Sequence, residues 1–83
     1  MLKKTELRDA ALRWIRGLPA GRVFTNQDVD KFLEKDFASE CAARGDAVNE
    51  PRYRNDARWA VQDAGKRERI IRPTSGVGEY RRL

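Results

Sequence analysis

Six side chains between residues 52 and 66 have the types and spacing for recognition chemistry: Arg52, Asn55, Arg58, Trp59, Gln62 and Lys66. Arginine and lysine meet phosphates or guanine, while asparagine and glutamine pair a donor with an acceptor and so match the N6/N7 edge of adenine. Trp59 is the odd member, a large apolar ring in the run RNDARWAVQ, which is otherwise charged, amide or small. At about 100° per residue, Tyr53, Ala57, Ala60, Val61 and Ala64 gather in one sector of a helix. Asn55, Gln62 and Lys66 fall opposite, flanked by Arg52 and Arg58. Trp59 lies about 140° from the centre of the apolar sector, off the core stripe and among the polar groups. There it could contact a thymine methyl or a methylated base edge. Equally, it could fold back over the segment 38–50 or over the C-terminal hairpin, touching no ligand. Helix phase leaves both open.

A second cluster lies downstream. Arg72, Arg81 and Arg82 flank the tip Thr74–Gly78, whose hydroxyls and glycine amides allow close approach to a phosphate. The alternative is a solvated hairpin edge that its charges protect from pairing. The charge distribution favours phosphate contact: residues 1–50 hold nine Lys/Arg and nine Asp/Glu, whereas residues 51–83 hold nine against four. The whole formal net charge of +5 therefore sits in the C-terminal part, as in a polyanion-binding half resting on a neutral scaffold.

The same composition narrows the chemistry. There is no histidine and a single cysteine, Cys41, so the commonest general base and any cysteine-closed zinc site are missing. Asp56, Asp63, Glu68 and Lys66 invite comparison with a metal-dependent nuclease. But two helical turns separate the aspartates, and Glu68-Arg69 lacks a carboxylate-x-Lys arrangement. The expectation is a binding module with no catalytic residue, no metal and no cofactor. No apolar run approaches the roughly 18 residues of a membrane span, and no signal-peptide core is visible, which predicts a cytoplasmic protein with no membrane partner.

The elements that would position these clusters follow from periodicity. Thr5 is a candidate N-cap for a helix over about 5–17 with Leu7, Ala10, Ala11, Trp14, Ile15 and Leu18 on one face, stopped by Pro19 and Gly21. Residues 22–24 form a short strand. Thr25-x-x-Asp28 is a capping box opening a second helix over about 26–38, with Val29, Phe32, Leu33 and Phe37 as its stripe. Ala38 to Glu50 reads as a helical extension giving way to a loop, with Cys41 half-buried or buried. Pro51 suits the first turn of a helix over about 51–66, and residues 69–83 form a hairpin. Helix, strand, helix, helix, hairpin is the element order of a winged helix-turn-helix, α+β in class, whose third helix reads DNA. The strand 22–24 should join the hairpin as a three-stranded sheet, which a lone hairpin needs for stability.

Leu18-Pro19-x-Gly21-x-Val23-Phe24-Thr25, Asp28-Val29, Arg58 and Gln62 around Val61, Ile70 and Gly78-x-Tyr80 add a family resemblance. From Leu18 to Leu83 the chain resembles the winged-helix DNA-reading domain of restriction endonucleases that cut adenine-methylated DNA. Trp59 stands where that family tends to have a polar residue, and Glu68 where a helix-ending glycine is expected. The resemblance implies a double-stranded DNA-binding module that reads N6-methyladenine-containing sites, monomeric or part of a larger chain, with the chemistry on another domain. Asn55, Trp59 and Gln62 would read bases, and Arg52, Arg58, Lys66, Arg72, Arg81 and Arg82 would hold phosphates. Two alternatives stay open: a small winged-helix transcriptional regulator, and a winged helix whose basic face meets an acidic protein.

Overall fold

The computed structural model describes residues 6–44, 46–47, 50–51 and 53–83. The Thr5 cap and Arg52 lie outside the described residues. The order is α1 (Glu6–Arg16), β1 (Val23–Thr25), α2 (Asn26–Asp36), α3 (Ala38–Arg44), β2 (Asp46–Ala47), β3 (Glu50–Pro51), α4 (Tyr53–Gln62), a π-helical turn (Asp63–Arg67), β4 (Ile71–Pro73) and β5 (Glu79–Arg82). The result is a small α+β structure with four α-helices and a three-stranded antiparallel sheet of order β1-β5-β4. As the sequence leads one to expect, the short strand after α1 closes the hairpin into that sheet: Phe24 pairs with Tyr80, and Pro73 lies on the other side of Tyr80. Among the described residues, no helix is long and apolar enough to cross a membrane.

The capping box at the start of α2 forms in both directions. The Asp28 N–H donates to Thr25 Oγ1 at 3.2 Å, and the Thr25 N–H donates to Asp28 Oδ2 at 2.8 Å. This fixes the turn from β1 into α2 and so ties the sheet to the helices. The core is where the apolar stripes meet: Leu7, Ala11 and Ile15 of α1, Val29 and Leu33 of α2, Ala57, Ala60 and Val61 of α4, with Phe24 and Ile71 from the sheet. Each large side chain fully buried there contributes about 1.5–3 kcal/mol. Trp14 and Phe32 sit at the core's edge, half-buried and stacked at 5.5 Å between ring centroids. Trp14 is thus a lid on the core.

Three expectations need correction. α2 does not extend into the following segment: Phe37 leaves helical geometry (ψ 40°) and its N–H closes on the Leu33 carbonyl at 2.8 Å. The chain turns there, α3 starts afresh, and Cys41 comes back over α2 with its thiol against the Leu33 carbonyl at 3.5 Å. Burial, reinforced by nearby carboxylates including Glu34 and Glu40, pushes that thiol up to about 11, so it is an inert small core residue. Second, Pro51 is not in the first turn of α4 but in β3, opposite Asp46, a two-stranded edge where a missing N–H is tolerated. Third, the last turn of the long helix is π-helical from Asp63.

Candidate nucleic-acid interface

α4 lies between α1 and α2, and each neighbour takes one flank of it. On the α2 side, Arg58 forms a two-pronged ion pair with Asp30, Nη1 to Oδ1 at 3.0 Å and Nη2 to Oδ2 at 3.1 Å. Arg54 stands 4.0 Å from the same carboxylate, and the Tyr53 hydroxyl donates to Glu34. Asp30 is buried, with 7% of its surface exposed, so this clasp is a structural joint between the two helices. On the α1 side, the Arg8 guanidinium lies 5.0 Å above the Trp59 ring. The partner seen on Trp59 is therefore one that neither fold-back expectation named, a cation of the first helix. It stays 51% exposed, and such a surface cation–π pair contributes about 0.5–1 kcal/mol.

The crest between these flanks is open. Asn55, Trp59 and Gln62 are all exposed and, with Arg58 as one wall, line a single shallow depression of about 330 Å³. All three expected base-reading side chains therefore share one surface, and helical spacing alone brings them there.

The expected phosphate holders divide. Lys66, Arg72 and Arg81 are exposed and carry no ion pair among the described residues. Arg72 and Arg81 are direct cross-strand partners in the hairpin, a placement that like charges make unfavourable unless an anion sits between them. By contrast, Arg82 has its guanidinium turned inward, donating to the carbonyls of Leu83 at 2.9 Å, Ile70 at 3.3 Å and Arg16 at 3.3 Å. It staples the sheet to the end of α1. Arg58 is likewise committed to Asp30. No protein-family model, curated protein or solved structure matches the chain. What the surface can do is therefore read from its own residues.

Two cations were missing from the sequence-based set. Arg67 and Arg69 are exposed and without an ion pair among the described residues, extending the basic surface from the helix end toward the hairpin. The run Lys66-Arg67-x-Arg69, with Arg72 close behind, carries that signal in the sequence, but Arg67 and Arg69 lie past the helix expected over about 51–66 and before the hairpin tip. Glu68, between them, is held by Arg16 at 2.7 and 2.6 Å. That hydrogen bond keeps its carboxyl below the usual carboxylate range. The one carboxylate within the basic run thus points back to α1.

The hairpin is anchored where it meets α2. Gly78 adopts a left-handed φ of 69°, and its carbonyl accepts from the Asn26 N–H at 3.0 Å. This conformation favours glycine, and a Cβ at position 78 would also crowd the Asn26 side chain, at 3.1 Å from Nδ2. At the tip, Thr74 Oγ1 donates to Glu79 and accepts from the Gly76 N–H, leaving Val77 fully exposed.

Proposed function

We propose that the chain is a winged helix-turn-helix module that binds double-stranded DNA, with α4 in the major groove and the β4–β5 hairpin as a wing along the backbone. One observation carries this reading: Asn55, Trp59 and Gln62 share one open depression, next to exposed cations that have no ion pair among the described residues, the cross-strand pair Arg72 and Arg81 included. Support also comes from the connectivity, in which a strand between the first two helices completes the sheet of the C-terminal hairpin. Amides on the crest present the paired donor and acceptor that a base edge requires, and the flanking cations supply sequence-independent affinity.

In this reading Lys66, Arg67, Arg69, Arg72 and Arg81 hold phosphates, while Arg58 and Arg82 hold the fold. Catalysis is left to another segment or another protein. The finer proposal, that the site contains N6-methyladenine, rests on the sequence resemblance and on an exposed indole beside two amides. The test is a titration with methylated and unmethylated duplexes at several salt concentrations. Binding that weakens steeply with salt is expected, with preference for the methylated duplex lost in Trp59→Ala at little change in melting temperature. No salt-dependent binding at low salt sinks the DNA reading, and equal affinity for the two duplexes sinks only the methyl reading.

A further inference from the structure

Between the π-helical turn and the hairpin lies a second concavity, of about 410 Å³. Its floor is apolar, from Ile71, Pro73 and the ring of Tyr80, with Gln62 and Lys66 at the rim and Arg72 at the edge of β4, leaving the strand on the face it shares with Arg81 and within reach of the groove around that edge. This volume falls in the range of small-molecule sites, roughly 300–1,000 Å³. Tyr80 is half-buried, its ring 5.9 Å from that of Phe24, and its hydroxyl makes no hydrogen bond among the described residues. Lys66 rises from the helical wall and Arg72 from the hairpin, and neither has a counter-ion among the described residues. Gly65 lines the groove beside Ile71, and a Cβ there would meet Ile71 Cγ1 in ordinary contact at 3.7 Å. The π-helical turn that ends the helix supplies Gly65 and Lys66 to the groove.

We propose that this groove receives one unstacked nucleotide, its base on Tyr80 and Pro73 and its phosphate between Lys66 and Arg72. The chemistry matches part by part. An aromatic and a proline ring offer a flat apolar face for a base, as in single-strand stacking platforms. Gln62 and the free Tyr80 hydroxyl offer donors and an acceptor to the base edge, and the two cations from opposite walls fit a phosphate. An acidic peptide would satisfy the cations but has no need of a planar apolar floor with a polar edge. Gln62 also lines the depression on the crest of α4, so the groove is continuous with the proposed DNA-reading face. The inference rests on that reading for the source of the nucleotide, a base displaced from the duplex next to the bound site.

Nuclear magnetic resonance titration of the intact chain separates the two. With deoxynucleoside monophosphates, the amide signals of Gln62, Lys66, Arg72 and Tyr80 are expected to shift saturably. The Lys66→Gln/Arg72→Gln double variant, whose side chains are exposed and hold no other part of the fold, should bind about tenfold more weakly or worse. Tyr80→Phe should keep the base platform, and Tyr80→Leu should weaken binding about tenfold; its fold is checked by the dispersion of the same spectrum. Inorganic phosphate binding as tightly as the nucleotide overturns the base pocket, as does an acidic aromatic peptide binding more tightly. Duplex binding without any mononucleotide shift rejects this pocket and leaves the DNA reading standing. Mononucleotide binding without duplex binding does the reverse, and makes the ligand a free nucleotide.

Discussion

Within α4, Arg58 meets the Asp30 carboxylate at 3.0 and 3.1 Å and Arg54 stands 4.0 Å from it. Past Gln62, by contrast, Lys66, Arg67, Arg69, Arg72 and Arg81 are exposed, and none has an ion pair among the described residues. Both regions lie in the basic part of the chain, and composition treats them alike. Their physical roles differ. An arginine held by a buried carboxylate is already neutralised and gives little to a polyanion, whereas an unpaired surface cation can exchange condensed counterions for a phosphate. The positive charge of the C-terminal part therefore overstates what a partner can reach, and the pairing of each cation locates the accessible share.

The largest effect should come from the unpaired region. Replacing Lys66, Arg72 and Arg81 together by alanine is expected to lower the slope of log affinity against log salt by about 3, roughly one for each phosphate that is no longer neutralised. Stability should stay within about 0.5 kcal/mol, as for surface changes that remove no packing. Relief of the Arg72–Arg81 repulsion would act in the stabilising direction. Duplex titrations at graded salt, with urea unfolding in parallel, measure both. An unchanged slope would break the comparison at its functional end.

The clasped region should show the opposite pattern. Arg58→Ala leaves Asp30 buried with only the more distant Arg54 nearby, so a loss of about 1–3 kcal/mol of stability is expected. Asp30→Asn should be milder, because Arg58 is 41% exposed in its side chain and can return to water. Neither change should alter the salt slope. If Arg58→Ala proved neutral to stability yet lowered the slope, the clasp would be an incidental contact and Arg58 a phosphate holder.

How much of this was legible in the sequence depended on whether the cause was local. The capping box of Thr25 and Asp28 and the stripe of α4 are short-range, and spacing alone placed Asn55, Trp59 and Gln62 on one face. The turn at Phe37 and the strand β3 go with the packing of α3 on α2 and of β3 on α4, and no periodicity carries that. The pairing of cations is tertiary too. Still, Asp30 shares a helical face with Leu33 and Phe37, three and seven residues on, so a carboxylate on an apolar stripe was a readable sign that a cation must meet it. Nothing local foretold that Arg8 would cover Trp59, since that depends on how α1 crosses α4. At the helix end the left-handed position falls on Arg69, while Glu68 is right-handed, and no local pattern marks an arginine for it.

That residue gives the smallest and most discriminating test of the comparison. Arg69 has a φ of 54° just after the π-helical turn, which closes through the Glu68 N–H on Asp63 and the Ile70 N–H on Ala64, both at 2.9 Å. A side chain in this conformation costs roughly 1–2 kcal/mol that glycine avoids, and the greater freedom of glycine in the unfolded chain offsets part of the difference. Arg69→Gly is therefore expected to stabilise the fold by about 0.5–1 kcal/mol, measured by urea unfolding. If Arg69 belongs to the unpaired basic surface, the same variant should lower the salt slope of duplex binding by about one. A protein made more stable and a weaker binder by one substitution would mean that charge, not conformation, accounts for an arginine at this position. A stabilised protein with an unaltered slope would confine the accessible cations to Lys66, Arg67 and the hairpin, and leave the left-handed arginine without a role in binding.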